Sequence, residues 1–104
     1  MKHRKSIIRQ RPGTCFICCL EGNDRQHRYL ETHHIFFGTA NRRKSEAEGL
    51  TVRLCQRHHE AVHRNAKLCR RLQAYAQKVW ESYPEHSRAE WMKIFHRNYR
   101  EDML

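Results

Sequence analysis

Hydrophobic positions in this 104-residue chain fall into short blocks separated by polar, mostly basic stretches. Arg28 to Phe37 (RYLETHHIFF) is rich in aromatic and β-branched residues and predicts a strand that Gly38 ends. Leu50 to Leu54 (LTVRL) predicts a second strand. The polar run between them, Thr39 to Gly49, predicts a loop with one helical turn at Ser45 to Glu48, so the strands form a hairpin with a long connection. From Gln56 the pattern becomes helical. Leu68, Leu72, Tyr75, Val79 and Tyr83 recur at steps of three or four, which carries one helix to about Ser82 before Pro84 stops it. That stripe reads as core, and Cys69 beside it as a small buried thiol. Ser87 with Glu90 makes a capping box for a short final helix marked by Trp91, Ile94, Phe95 and Tyr99, expected to pack on the long one.

Upstream, residues 1–12 read as a mobile basic arm carrying Lys2, Arg4, Lys5, Arg9 and Arg11 around only Ile7 and Ile8. Residues 13–104 then read as a single α+β domain. A domain near this size buries only about two thirds of its unfolded surface, so its core is thin and a metal staple would help it. The formal charge of +10 and pI near 9.9 attract polyanions at long range, nucleic acid first among them. Basic residues spread over the whole length, which argues against an amphipathic membrane-surface helix. No apolar leader or long apolar run is present, so a reducing, cytoplasmic setting is expected, where five cysteines favour metal ligation over disulfides.

Two groups of side chains carry the chemistry. Cys15 and Cys18, on an expected tight turn within Thr14 to Leu20, combine with Cys55 and His58 as CxxC followed by CxxH, the donor set of a closed tetrahedral zinc site. Cys19 is the alternative to Cys18. His59 could replace His58, but His58 stands three after Cys55, whereas His59 stands four before His63 and shares a helix face with it. His59 and His63, with the doublet His33 and His34, make the second group, an all-imidazole centre. Neighbours on a regular strand face opposite ways, so His33 and His34 can serve one site only at a strand end, bend or bulge. His3, His27, His86 and His96 read as surface residues.

A strand pair followed by a helix, with a histidine doublet on the first strand and more histidines on the helix, resembles the small phage-type HNH endonucleases of the His-Me finger superfamily. Glu31 to Asn65, the upstream CFIC and the closing KIFHRNY (Lys93 to Tyr99) carry the resemblance. It implies a ββα-metal core with a zinc knuckle and C-terminal helices. It also implies that His34 is the general base and that His33, His59 and His63 hold a divalent ion. The implied reaction is hydrolysis of a DNA phosphodiester to a 5′ phosphate and a 3′ hydroxyl. Imidazole, titrating near ~6.5 when unperturbed, suits proton acceptance at neutral pH. An all-imidazole set leaves the catalytic metal open among zinc, nickel, manganese and magnesium. The asparagine usual before the second strand is not evident at Glu48, Gly49 or Leu50, so His34 is expected to be oriented from elsewhere, for example by a backbone carbonyl. Asn41, Arg42, Arg43 and Lys44, joined by Arg53 and Arg57, are the expected DNA-backbone contacts. Partners would be DNA, a second copy of the chain, or phage packaging or recombination proteins. A zinc-stabilised DNA-binding module without catalysis and a zinc-dependent protein-interaction adaptor are the competing readings.

Overall fold

A computed structural model describes residues 5–100, leaving Lys2, His3 and Arg4 outside. Within those residues the order is α1 (Phe16–Leu20), β1 (Glu31–His34), α2 (Thr39–Ala47), β2 (Thr51–Leu54), α3 (Gln56–Arg64), α4 (Ala66–Glu81) and α5 (Arg88–Phe95). The two strands pair antiparallel, with Glu31 opposite Leu54, Thr32 opposite Arg53, His33 opposite Val52 and His34 opposite Thr51. The architecture is a small α+β domain in which helices surround a two-stranded sheet. No helix of the described residues is long and apolar enough to cross a membrane.

Four expectations need correction. The first strand is four residues long, because alternation ends at His34: His34, Ile35 and Phe36 are buried in succession as the chain bends into the core. The connection expected to be a loop with one helical turn at Ser45 to Glu48 is the nine-residue helix α2. Its end is a Schellman motif, with Leu50 N–H donating to the Ser45 carbonyl at 2.8 Å and Gly49 N–H to the Glu46 carbonyl at 3.2 Å. Gly49 supplies the positive φ of 72° that this motif needs. The expected continuous helix is two, broken at Asn65, whose φ and ψ of −109° and 100° leave the helical region and whose side chain caps α4 by accepting from Leu68 N–H at 3.1 Å. The arm, finally, is packed from residue 5 onward: Ile7 N–H donates to the Gly49 carbonyl at 2.9 Å, Ser6 Oγ to the Thr51 carbonyl at 2.6 Å, and Ile8 is buried.

Phe36 joins the sheet to the C-terminal helices. Its ring centroid lies 5.3 Å from Trp91, 4.8 Å from Phe95 and 4.7 Å from Tyr99, and Trp80 adds a contact to Trp91 at 5.4 Å. Burying one such ring stabilises the fold by about 1.5–3 kcal/mol, so this aromatic cluster anchors α4 and α5 to the bend after β1. The core line of α4 is Leu72, Ala76 and Trp80. Leu68 and Val79 are partly buried against it, while Tyr75, expected in the core, is exposed. Cys69 is half-buried. Ser87 caps α5 by accepting from Glu90 N–H at 3.2 Å.

Candidate metal centre

Helix α3 supplies parts of both Cys/His clusters. Successive helical residues are turned by about 100°, so His58 and His59 point to different neighbours while His59 and His63, one turn apart, share a face. Cys55 stands at the N-cap of α3 and Cys15 at the N-cap of α1, so two helix starts meet. The expected tight turn around Cys15 and Cys18 is the short helix α1 itself, which places Cys15 and Cys18 on one side and leaves Cys19 outside the cluster.

His58 Nδ1 lies 3.4 Å from the Sγ atoms of Cys15, Cys18 and Cys55, and Cys18 Sγ lies 4.0 Å from Cys55 Sγ. A tetrahedral zinc with Zn–S near 2.3 Å and Zn–N near 2.0–2.1 Å sets ligand atoms roughly 3.5–3.8 Å apart, so this spacing fits the ion. All four residues are buried. Burial, reinforced by the neighbouring Cys15 and Cys55 sulfurs, pushes the Cys18 thiol up to about 12. Burial opposes ionisation at Cys55 too, but the His58 backbone N–H, hydrogen bonds from Cys15 and Cys18 and the Arg57 charge outweigh it and lower that thiol. The cluster could hold a structural metal such as zinc, with proton release on binding. Outside it, His58 Nε2 faces Glu21 Oε1 at 3.3 Å, an outer carboxylate that fixes the ring with Nδ1 toward the sulfurs. His27, expected on the surface, is half-buried with Nε2 3.6 Å from Cys18 Sγ.

The second cluster contains three of the four expected imidazoles. Ligand nitrogens of His33, His59 and His63 lie within 4.8 Å of one another, with ring centroids 5.1 to 5.3 Å apart. His33 is buried, His59 half-buried and His63 exposed. Burial, with the adjacent His59, His63 and His34 rings adding to it, pushes His33 down to about 3, so this ring stays neutral and able to ligate. Glu31, two residues before His33 on the same strand face, accepts from His59 Nδ1–H at 2.9 Å, which turns Nε2 toward the other rings. The cluster opens into a cavity of about 330 Å³ lined by Glu31, Gln56, His59, Glu60, His63 and Arg64.

His34 is absent from the triad. Its Nε2–H donates to Glu46 Oε1 of α2 at 2.7 Å, so a carboxylate helps to hold it. That bond places a proton on Nε2, so Nδ1 is the nitrogen able to accept a proton in the neutral ring. Glu46 falls in the one helical turn expected at Ser45 to Glu48, but its contact with His34 depends on the full helix α2; Glu31 follows from its two-residue offset to His33. The expected DNA contacts separate into three places. Asn41, Arg42, Arg43 and Lys44 are consecutive on α2 and therefore spread around its circumference. Arg53 on β2 lines a groove against the N-terminal segment, and Arg57 lines a shallow surface with Arg64. Of the remaining histidines, His86 is half-buried and stacks on Trp80 at 3.8 Å, whereas His96 is exposed. Compared with known proteins, the chain has no significant match to a family model, a curated protein or a solved structure.

Proposed function

We propose that the protein is a metal-dependent DNA endonuclease with a ββα-metal core, in which the Cys15, Cys18, Cys55 and His58 cluster is a zinc knuckle and His33, His59 and His63 hold the catalytic divalent ion. The observation that carries this reading is the convergence of those three imidazoles at an open cavity, next in sequence to a histidine whose Nε2 is fixed by Glu46. Closed sites with four protein ligands are structural, and sites that keep an open position are chemical. The four buried donors of the first cluster and the three graded donors of the second follow that division.

In the reaction, His34 Nδ1 takes a proton from the attacking water while Glu46 keeps the ring oriented through Nε2 and stabilises the imidazolium that forms. The water oxygen bonds to phosphorus and the bond to the 3′ oxygen breaks, leaving a 5′ phosphate and a 3′ hydroxyl. A bound divalent cation would neutralise charge growing on the phosphoryl group and the departing oxygen. Arg64 and Gln56, at the cavity mouth, offer donors to the flanking phosphate oxygens. His33, buried and neutral, contributes ligation without carrying a proton into the site.

A plasmid-nicking assay with added zinc, nickel, manganese or magnesium tests the proposal. Wild-type protein converts supercoiled to open-circular DNA with at least one of these ions. His34→Ala lowers the rate by about 10²–10⁴, the usual worth of a general base, while leaving metal content unchanged. Folded, metal-loaded wild type that cuts with none of them would leave a DNA-binding module in its place.

A further inference from the structure

A groove of about 710 Å³ lies between the N-terminal segment and β2 and shares no lining residue with the triad's cavity. Its lining includes Lys5, Arg9, Arg11 and Arg53, and none of its lining residues is acidic. Arg11 is partly neutralised from outside by Asp24 at 3.0 Å; no carboxylate among the described residues pairs with Lys5, Arg9 or Arg53. The groove has a fixed wall. Besides the Ser6 and Ile7 bonds to β2 and the Gly49 turn, Gln10 Oε1 accepts from Arg53 N–H at 2.8 Å, and Gln10 Nε2 donates to the Ile8 carbonyl at 3.1 Å. Gly49 has room for no side chain here, since a Cβ would sit 3.0 Å from the Lys5 carbonyl oxygen. The cations are thus presented by an ordered strip of backbone. At the side of the groove stands one aromatic ring, Tyr83.

We propose that this groove binds a single strand of nucleic acid through its phosphates, with a base against Tyr83. A positive groove that tracks a backbone and carries an aromatic stacking surface is the general form of a single-strand site. Thr32, also in the lining, is next to His33 in β1 but faces the other side of the strand, so the groove and the triad lie on opposite faces of the sheet. The inference takes its ligand class from the nucleic-acid reading above but does not depend on cleavage.

The test uses zinc-loaded full-length protein carrying His34→Ala, so that the probe stays intact, and a fluorescein-labelled dodecamer of deoxythymidine read by anisotropy over a range of salt. Adding Arg9→Ala and Arg53→Ala weakens binding at least tenfold and lowers the slope of log affinity against log salt by about 1.4, two contacts at about 0.7 each on a single strand. The pair Arg70→Ala and Arg71→Ala, exposed on α4 and removing the same charge, changes binding less than threefold. Melting temperature and zinc content are matched across the variants. Equal losses from both pairs would mean that only net charge matters and would overturn the site. So would a twelve-base-pair duplex that binds more tightly than the single strand and loses as much in the groove variant. Failure of the nicking assay with this binding pattern intact would sink the nuclease reading alone.

Discussion

The two Cys/His clusters use the same helix and differ in enclosure. At the knuckle, donors from α1 and the start of α3 are all buried and lie at tetrahedral spacing. At the triad, burial runs from His33 through His59 to His63, and one side is cavity. Closure removes any position for a substrate, whereas an open side leaves one. Cys55 and His58 lie in the first turn of α3, and His59 and His63 follow from it, so on the proposed reading a metal held by the first cluster would set the geometry of the triad. The reverse dependence is weak, since His59 and His63 lie toward solvent.

That asymmetry predicts the largest effect. On the proposed reading, Cys55→Ser, or removal of zinc by a strong chelator, unfolds the domain: apparent zinc binding worth about 10–16 kcal/mol in finger peptides is as large as the whole stability of an ordinary domain, about 5–15 kcal/mol. Circular dichroism and bound-zinc analysis read the outcome, and a chelated protein that keeps its helical signal would remove the structural role. Next comes His59→Ala, which should lower bound metal from two ions to one per chain and abolish nicking, while the melting temperature falls by only a few degrees. A collapse of the fold on this substitution would erase the distinction between the clusters. Smaller still is Glu31→Gln. Loss of a carboxylate behind a ligating histidine costs about 10–100-fold in metal affinity, so titration of the second ion should shift by that factor with the first unaffected.

Which side chains converge was legible in sequence because spacing encodes it: CxxC, CxxH and the four-residue step from His59 to His63 each imply a shared direction on a local element. Placement of His34 was not. Its contact to Glu46 depends on α2, and the run from Thr39 to Gly49 lacks the apolar stripe by which helices announce themselves. Its helix was still encoded, by Ala40, Arg42, Arg43, Lys44, Glu46 and Ala47, all good helix formers, and by Gly49 in the position that ends one. Asn65 hid the break between α3 and α4 for the opposite reason: apolar periodicity runs through it, and only its capping side chain marks the boundary. The packed arm was hidden by composition, because the segment is held by one buried isoleucine and by Ser6 and Gln10 side chains bonding to the backbone of β2, polar residues that a basic, solvated stretch would carry equally well.

A third polar cluster, built without metal ligands, gives the comparison a reference. Glu81 at the end of α4 pairs with Arg88 and with Arg100 at 2.6 Å and accepts from Gln77 Nε2 at 2.9 Å. Gln77 in turn accepts from Tyr99 N–H at 2.7 Å. Burial alone would raise the Glu81 carboxyl, but hydrogen bonds from Arg88, Gln77 and Arg100 outweigh it and hold it down to about 2, below its ordinary 4.5. A carboxyl lowered on folding stabilises fully above its unfolded value, and that contribution is lost as pH falls through the folded one. Glu81→Gln should therefore cost about 1–3 kcal/mol at neutral pH, the worth of hydrogen bonds to a charged group, partly screened because both arginines reach solvent. Urea unfolding of wild type and variant should differ by a constant amount down to about pH 4.5 and converge toward about pH 2, with metal content equal in the two. A gap that instead tracks zinc occupancy would tie the C-terminal helices to the knuckle and end their use as an independent reference.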